Sequence, residues 1–473
     1  SLCDWSSDVC SSDLLEYTGL DIDDYITIQS LASDYKLKEG CYDGVLMFSG
    51  VVQHYISNCI VGGRCMTNSN KMYHVKRKIA DFDACSLYPS AMFRMLGYLV
   101  GKPKTLNNTQ LNYNFRKNQD GYFIRVKITK VGKSRQFPLM SKYNENGVRL
   151  FTNEMVNETI YIDKTSLEDL IKFQSVDFEV IDGYYFNEGR NDQIKITIKH
   201  LYDLRKRLKK DKSPAQVVIK LLMNSMYGKT ILKPVETDTV VVPEWRFEKY
   251  INYNYNFIQS CIKVGDRYYV KKIKNILNHY NYVQCGVEIL SMSKRIMNEV
   301  MVLAEDLDLK IYYQDTDSMH INYEEVDTLA AEFKNIYGRE LIGEDMSQFH
   351  VDFDMDGAKG DIYAKECYFI AKKVYIDKLE SVDAEGNTIN SDHIRMKSVP
   401  TSCIKYTSKE MNLQPMELYK QLFESKKINF DLTEGGNNCG FKYEKDMSVR
   451  SYQESEFNRC IGFSSEVEKI EVF

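Results

Sequence analysis

Two carboxylates lie one residue apart in the segment 310–321, where aromatic and β-branched residues flank Asp315 and Asp317. This pattern predicts a β-hairpin with both acids at its turn. Carboxylates so close together repel each other, and a hard cation that prefers oxygen, such as Mg²⁺, relieves the repulsion. We therefore expect a metal site here that takes a further carboxylate from elsewhere in the chain.

The segment 78–90 offers that carboxylate. It has the pattern of a short strand followed by a turn that ends at Pro89, and it contains Asp81 and Asp83. Because alternate residues of a strand share one face, the pattern leaves both acids as candidates.

Basic residues concentrate between positions 194 and 212, where eight lysines and arginines against two aspartates give a local charge of +6. Three leucines at helical spacing predict an amphipathic helix here, with Arg205 and Lys209 at the border of its apolar stripe. A charge run is also typical of a solvated face, which is how we interpret the remaining lysines. The leucines are Leu201, Leu204 and Leu208.

A second helix is predicted after a break at residues 211–214. Ser213 is expected to cap it, with Pro214 as its first residue and Gln216 completing a capping box. Together with Arg205 and Lys209, its Lys220 would surround a triphosphate with cations. Its spacing places Lys220, Asn224 and Tyr227 on one face and Val218, Leu221, Leu222 and Ser225 on the opposite face.

Three of these segments resemble, in order, the polymerase motifs of family B DNA polymerases. They are Asp-Ala-Cys-Ser-Leu-Tyr-Pro-Ser at 83–90, Lys-Leu-Leu-Met-Asn-Ser-Met-Tyr-Gly at 220–228 and Tyr-Gln-Asp-Thr-Asp-Ser at 313–318. A fourth, Lys-Val-Tyr at 373–375, resembles the primer-binding Lys-x-Tyr of the family. Each alone has a plain reading, such as a solvated turn or a helix that ends at glycine. Together they resemble the viral and organellar type, close to the protein-primed group and truncated at the N-terminus.

The resemblance implies an α+β fold and a right-hand polymerase. Its palm would be an antiparallel sheet plus helices, with helical fingers and a mixed thumb. The implied cofactors are two Mg²⁺ ions, with Mn²⁺ as an alternative. Asp83, Asp315 and the Ala84 carbonyl are the implied metal ligands, with Asp317 assisting, and Lys220 would neutralise or protonate the departing pyrophosphate.

The resemblance also implies the nucleotide and primer contacts. Tyr88 would lie under the sugar and exclude a 2′-hydroxyl, although an aromatic core residue is the alternative interpretation. The implied nucleotide-binding residues are Ser86, Leu87, Tyr88, Arg205, Lys209, Lys220, Asn224 and Tyr227. The implied primer and DNA contacts are Lys373, Tyr375 and Gly228.

The order of the motifs divides the chain. Gly62 and Gly63 stand where protein-primed members carry Tyr-x-Gly-Gly, and paired glycines suit either close approach to phosphate or a plain turn.

The insertion after the second motif coincides with a hairpin linked to strand displacement in protein-primed relatives, or is a surface elaboration. We predict a link from exonuclease domain to palm at 15–66, palm at 67–190, fingers at 191–231, insertion at 232–285, palm with the catalytic hairpin at 286–380 and thumb at 381–473.

The first 14 residues repeat serine and aspartate without helical or strand periodicity. They resemble a translated sequencing adapter, with an acidic disordered tail as the alternative. We accordingly expect the chain to begin inside a longer gene.

Bulk composition narrows the class of protein. The net charge of −5 gives no global attraction to nucleic acid, so DNA contacts must come from local basic patches. The 12 cysteines form no Cys-x-x-Cys pair, which fits reduced intracellular thiols. No apolar run approaches the roughly 18 residues of a membrane helix, and no signal peptide is evident.

The sequence thus predicts a template-directed DNA polymerase that adds deoxynucleotides to a primer 3′-hydroxyl inside a cell. The implied partners are primer-template DNA, deoxynucleoside triphosphates and a terminal priming protein, with no membrane. One alternative is a catalytically inactive fragment that only binds DNA. Another is an RNA-copying palm enzyme, although those resemble Tyr-x-Asp-Asp at the hairpin.

Overall fold

The computed structural model describes residues 15–106, 113–233, 237–275, 279–433, 441–444, 448–451 and 457–473. The prediction for the first 14 residues lies outside these ranges. Within them the chain forms helices and mainly antiparallel sheets, which confirms the predicted α+β class. In the described part, no helix combines the length and apolar character needed to cross a membrane.

The α-helices are distributed along the whole chain. In chain order they are α1 (Ile28–Lys38), α2 (Gly50–Ser57), α3 (Leu87–Arg94), α4 (Tyr113–Lys117), α5 (Lys164–Gln174), α6 (Gln193–Lys210), α7 (Ala215–Ser225), α8 (Glu244–Asn254), α9 (Val283–Asp306), α10 (Val326–Tyr337), α11 (Thr401–Glu410) and α12 (Pro415–Phe423).

The strands form one large sheet and several small ones. The first are β1 (Cys65–Thr67), β2 (Met72–Val75), β3 (Ile79–Ala84), β4 (Tyr98–Leu99), β5 (Lys104–Leu106), β6 (Gly121–Val131), β7 (Ser141–Tyr143), β8 (Arg149–Phe151), β9 (Thr159–Asp163), β10 (Val176–Phe186), β11 (Arg190–Asn191), β12 (Thr237–Pro243), β13 (Ile258–Val264) and β14 (Arg267–Ile273). The others are β15 (Ile311–Asp315), β16 (Ser318–Asn322), β17 (Phe349–Val351), β18 (Tyr363–Ala371), β19 (Val374–Val382), β20 (Thr388–Met396), β21 (Ile428–Asp431), β22 (Phe441–Tyr443), β23 (Val449–Ser451), β24 (Asn458–Ile461) and β25 (Lys469–Val472).

The chain divides into two compact units. The first comprises residues 1–62, 86–132 and 155–296, and the second comprises residues 63–85, 133–154 and 297–473. Each unit therefore takes segments from distant parts of the sequence.

The second unit is built on the large sheet, whose main strand order is β1-β15-β16-β3-β18-β19-β20. β17 also pairs with β3. Buried aromatic and aliphatic side chains, among them Tyr313 and Phe369, pack against one another on this sheet. Because one face is buried, a slip of one residue would turn the apolar set outward, so packing fixes the register.

In the first unit, α6 packs against α7. The predicted stripe of α6 is confirmed, since Leu201, Leu204 and Leu208 are buried. The predicted start of α7 is wrong. Pro214 takes the N-cap position, so Ser213 lies one residue too early and its hydroxyl accepts from the Ala215 amide at 3.3 Å.

Leu221, which the spacing places on the same face of α7 as Val218 and Leu222, differs from them in burial. Its side chain is 37% exposed, whereas Val218 and Leu222 are buried. A smaller layer in this unit has strand order β12-β14-β13, with α8 connecting β12 to β13.

Candidate active site

The large sheet places the predicted acids in one cross-strand row. Asp315 on β15 lies opposite Ser318 on β16, and Ser318 lies opposite Asp83 on β3. Directly opposite residues of antiparallel strands point to the same face of a sheet. The Cα atoms of Asp83 and Asp315 are therefore separated by two strand spacings, about 10 Å in total. The two acids, distant in sequence, thus face the same side.

The same register distinguishes Asp83 from Asp81, which the sequence left open. Asp81 pairs with His320, two residue pairs further along the strands, and of the two acids only Asp83 lies in the row of Asp315. The predicted hairpin is confirmed, with Asp315 ending one strand and Ser318 starting the next.

The hairpin turn is bonded to the strand that carries Asp83. The Asp317 carbonyl accepts from the Ala84 amide at 2.8 Å, and the Asp317 amide donates to the Asp315 carbonyl at 2.7 Å. Thr316 adopts the left-handed conformation with φ of 61°. These bonds hold Asp317 beside Asp83 and fix the turn.

The carboxylates of this site repel one another. Burial, followed by repulsion from Asp317, Asp81 and Asp352, raises the pKa of Asp83 to about 8. Burial also raises the pKa of Asp317, with repulsion from Asp315 contributing. A cation would relieve this repulsion by favouring the ionised carboxylates.

Lys373 provides one such cation. Its ammonium donates to a carboxylate oxygen of Asp315, and its side chain is 46% exposed. Burial lowers the pKa of Lys373, but the hydrogen bond to Asp315 and its charge leave that pKa raised. The Lys373 amide also donates to the Tyr313 hydroxyl at 2.9 Å, which ties this turn to β15.

Tyr375, the other residue of the predicted primer-binding pair, is buried. Its ring packs against those of Tyr313 and His320, with centroid distances of 4.7 and 5.1 Å. Of the pair, Lys373 is therefore the residue with an accessible side chain, and the contact of Tyr375 with a primer stays a prediction.

Gly63, one of the paired glycines, lies against the hairpin turn. A Cβ atom at this position would lie 2.5 Å from Cγ2 of Thr316 in the hairpin turn. The next carbonyl, that of Arg64, accepts from the Thr316 amide at 2.8 Å. The glycine therefore allows the backbone to pack directly against the turn. By contrast, Gly62 has open space around its position.

A buried polar network lies two residue pairs along the strands from the row of Asp83 and Asp315. His320 Nε2 and His393 Nδ1 lie 3.3 and 2.8 Å from the same oxygen of Asp377. His320 Nδ1 lies 3.9 Å from Asp81 Oδ1. His320 and Asp377 are both fully buried, so the network holds β16 against its neighbours.

The donor set suits a divalent metal ion. Mg²⁺ takes carboxylate and carbonyl oxygens and typically uses only one or two carboxylates, keeping its other positions for water and substrate. In the described residues, no group of three or more His, Cys, Asp or Glu side chains forms a metal cage. The expected set of Asp83, Asp315 and the Ala84 carbonyl has two carboxylates, so it fits a metal shared with substrate.

The first unit brings together a second group of predicted residues. Arg205 on α6 donates to the Ser86 hydroxyl at 3.3 Å, and Ser86 precedes α3 in the left-handed conformation. Arg205 Nε is buried and lacks a hydrogen-bond partner within the described part of the chain. The rings of Tyr88 and Tyr227 stack at 4.0 Å with an interplanar angle of 21°.

The other predicted nucleotide contacts differ in exposure. Lys209, Lys220 and Asn224 are exposed, whereas Leu87 is buried at the start of α3. In the described residues, Lys220 makes no hydrogen bond or ion pair, so its ammonium is available to an anion. Gly228 begins a short 3-10 turn after α7 and has room for a side chain.

Lys36 is a residue that the sequence did not single out. It is fully buried on α1 and donates to the Met226 carbonyl, at the C-cap of α7. Cations stabilise the unpaired carbonyls and negative dipole end of a helix. Burial lowers the pKa of Lys36 to about 8. Lys36 thus holds the helix end that precedes Tyr227.

Comparison with known proteins identifies what this arrangement is similar to. The family model for DNA polymerase type B, organellar and viral, matches residues 18–306. A DNA polymerase of Kluyveromyces lactis is 24% identical over 387 residues, which cover 75% of this chain and 36% of that protein. A probable DNA polymerase of Ascobolus immersus is 25% identical over 335 residues, or 68% and 24% of the two chains. This chain therefore spans about a third or less of these relatives.

Solved structures show the same fold. Phi29 DNA polymerase in a ternary complex with primer-template DNA and incoming nucleotides has a TM-score of 0.63 at 14% identity, covering 95% of this chain and 69% of that chain. Its binary complex has a TM-score of 0.58 at 16% identity, with coverage of 84% and 64%. These likenesses confirm the expected right-hand polymerase fold.

Proposed function

Because the chain belongs to the organellar and viral type B DNA polymerases, we propose that it adds deoxynucleotides to the 3′-hydroxyl of a primer on a DNA template. The observation that carries this proposal is the cross-strand row in which Asp315 and Asp83 flank Ser318. The hydroxyl attacks the α-phosphorus of a deoxynucleoside triphosphate, and pyrophosphate leaves.

Asp83, Asp315 and the Ala84 carbonyl would hold the metal ions, with Asp317 assisting. Two Mg²⁺ or Mn²⁺ ions bound there would lower the pKa of the primer hydroxyl and stabilise the leaving oxygens. The raised pKa of Asp83 supports this assignment. Burial and the neighbouring acids disfavour the ionised carboxylate, and a bound cation would stabilise it. The turn bonded to Ala84 keeps these oxygens in place before substrate binds.

The residues of α6 and α7 would bind the triphosphate. Arg205 has a buried Nε without a partner in the described part of the chain and already contacts Ser86, so it is prepared for an anion. Lys209 and Lys220 are exposed cations of the same helix pair, and Lys220 can donate a proton to the departing pyrophosphate.

Tyr88 would select the sugar. Its ring stacks on Tyr227, and a ring fixed in this way cannot move aside for a 2′-hydroxyl. Asn224, in the last turn of α7, would contact the nucleotide, and Gly228, at the start of the 3-10 turn that follows Tyr227, would contact the DNA. Lys373 is exposed at the turn after β18. Its ammonium would leave Asp315 and pair with a phosphate at the end of the primer.

The domain roles are proposed with the function. Fingers comprise residues 191–231, palm residues 67–190 and 286–380, and thumb residues 381–473. Residues 15–66 link to an exonuclease domain, and residues 232–285 are an insertion. A terminal protein is proposed as the primer on the resemblance to the protein-primed group alone.

Primer extension by the complete chain tests the proposal. A labelled primer on a DNA template is incubated with Mg²⁺ and deoxynucleotides, and an RNA template is compared. We expect extension on DNA only, with at least a 1,000-fold loss in Asp315→Asn, about the size typical for essential catalytic groups. Asp308→Asn, an exposed aspartate of the same unit, is the matched control and should extend normally.

Two results would overturn the proposal. Preferred extension on RNA would indicate an RNA-copying enzyme. Binding of primer-template without extension, by a folded wild-type chain, would indicate a fragment that only binds DNA.

A further inference from the structure

Helix α1 packs against the end of α7 and the 3-10 turn that follows, the segment that carries Tyr227. Lys36 of α1 is fully buried and donates a hydrogen bond to the Met226 carbonyl, 190 positions away in the sequence. Nearer the start of α1, the Ser30 hydroxyl accepts from the ammonium of Lys229 at 3.4 Å. Two turns of one helix therefore contact the chain on both sides of Tyr227.

The ammonium of Lys36 is held from a second direction. It lies 5.0 Å from the centroid of the Tyr42 ring, and that ring stacks on Tyr282 with centroids 3.8 Å apart. A cation over an aromatic face is attracted by the ring. Met226 is buried, so bulk water cannot replace Lys36 at its carbonyl. Removal of the ammonium would therefore leave this buried carbonyl without its donor.

The carbonyl of Tyr227 is fixed as well. Both the amide and the hydroxyl of Thr230 donate to it, the amide at 3.0 Å. The carbonyls of Met226 and Tyr227 belong to the two planar peptides that flank the Tyr227 Cα, so holding both carbonyls fixes the direction of its side chain. That side chain stacks on the ring of Tyr88 at 4.0 Å. The position of the Tyr88 ring thus depends on this stretch of backbone.

We propose that Lys36 is a positioning residue for sugar selection. It fixes the peptide that precedes Tyr227, Tyr227 supports the ring of Tyr88, and Tyr88 excludes a 2′-hydroxyl. The inference rests on the proposed role of Tyr88 and adds a buried residue that acts through Tyr227 rather than on the substrate. A displacement of about 1 Å in a site can change rates by about 100-fold, so a loosened support is measurable.

The sugar discrimination of Lys36→Met tests the inference. Methionine keeps a long side chain but lacks the donor. Single-nucleotide incorporation by the complete chain gives kcat/KM for a ribonucleotide and for the matching deoxynucleotide. We expect the ratio of the first to the second to rise about 3- to 10-fold, less than on removal of the Tyr88 ring. A variant that is only less stable supplies less active enzyme, which lowers both constants equally and leaves the ratio unchanged.

A double-mutant cycle determines whether Lys36 acts through Tyr88. In a Tyr88→Ala background, Lys36→Met should change the ratio no further. Lys38→Met removes an exposed lysine of the same helix and, as the matched control, should keep the wild-type ratio. Thr230→Val removes the hydroxyl that donates to the Tyr227 carbonyl and should also raise the ratio. It is the decisive variant if circular dichroism shows that Lys36→Met does not fold.

The outcomes separate this inference from the proposed function. A raised ratio in Tyr88→Ala with the wild-type ratio in folded Lys36→Met would overturn the inference alone. If Lys36→Met does not fold, the wild-type ratio in Thr230→Val would do the same. A further rise when Lys36→Met is added to Tyr88→Ala would also overturn it, because Lys36 would then act by another route. An unchanged ratio in Tyr88→Ala would overturn the proposed sugar selection and this inference with it.

Discussion

The ammonium group of Lys373 donates a hydrogen bond to the carboxylate of Asp315, although the two residues are 58 positions apart. Asp315 also belongs to the row that would bind metal. A lysine bonded to a proposed metal ligand would compete with the metal, and binding of Lys373 to a primer phosphate would release that ligand. We therefore propose that the pair couples primer binding to metal binding.

Lys373→Met tests this coupling. In the absence of DNA, the variant should bind Mn²⁺ about 3- to 10-fold more tightly, because a positive charge near the site is removed. It should also bind primer-template more weakly. Titration calorimetry measures both, with Lys372→Met as the control for an exposed neighbouring lysine. Weaker or unchanged Mn²⁺ binding in Lys373→Met would contradict the coupling.

Tyr88→Ala should raise ribonucleotide incorporation. Removal of the ring opens space for a 2′-hydroxyl, so the ratio of kcat/KM for ribonucleotide over deoxynucleotide should rise at least about 10-fold. Steady-state single-nucleotide incorporation measures the ratio, and Tyr88→Phe, which keeps the ring stacked on Tyr227, should preserve discrimination. Unchanged discrimination in Tyr88→Ala would make the tyrosine a core residue only.

Lys36 gives stability a dependence on pH. Its pKa is about 8 in the folded chain, below the ordinary lysine value of 10.5, so the unfolded chain binds more protons between these values. Stability must then rise with pH across that interval. Relative to Lys36→Met, the wild type should gain up to about 3 kcal/mol of unfolding free energy between pH 8 and 10.5.

Urea unfolding at a series of pH values measures this difference. Lys38→Met removes an exposed lysine of the same helix that donates to the Thr18 carbonyl. It is the matched control, and its unfolding free energy should follow that of the wild type at each pH. A constant difference between wild type and Lys36→Met at all pH values would show that Lys36 does not titrate in this way.

The buried pair of Asp377 and His320 predicts the opposite trend. His320 has a raised pKa despite its burial, owing mainly to the charge of Asp377, so its stabilising effect is complete below about pH 6.5 and is lost as pH rises through the folded value. Asp377 has a lowered pKa despite its burial, mainly because of His320, so its effect is lost only in strong acid.

Asp377→Ala should therefore lower the unfolding free energy by about 3–5 kcal/mol at pH 6, because it leaves a charged histidine buried without its partner. The loss should shrink at pH 9. Urea unfolding measures it, with the exposed Asp356→Ala as control. A loss of the same size at both pH values would exclude a charged His320.

Local patterns in the sequence predict the elements around the site well. Alternation and turn residues indicated the hairpin that carries Asp315, and helical spacing indicated the buried leucines of α6. The convergence of Asp83 with Asp315 depends on the pairing of β3 with β16, which no local sequence pattern contains. We predicted this convergence from the resemblance of the motifs and their order to those of family B polymerases.

The features that the sequence did not predict depend on tertiary packing. A lysine in a helix ordinarily lies at the surface, and only the meeting of α1 with the end of α7 buries Lys36. Likewise, Gly63 requires its small size because Thr316 comes from a distant hairpin. The start of α7 differed because Pro214 occupied the cap, a choice between adjacent residues that composition does not determine.

Metal binding by acid-to-amide variants tests the central claim most directly. Bound Mn²⁺ is counted by electron paramagnetic resonance for wild type, Asp83→Asn and Asp315→Asn, each with primer-template and a non-hydrolysable deoxynucleotide, and primer extension with Mg²⁺ is measured in parallel. We predict that both variants stay folded, hold fewer ions than wild type and lose extension. A full complement of ions with near-normal extension in either variant would contradict the account.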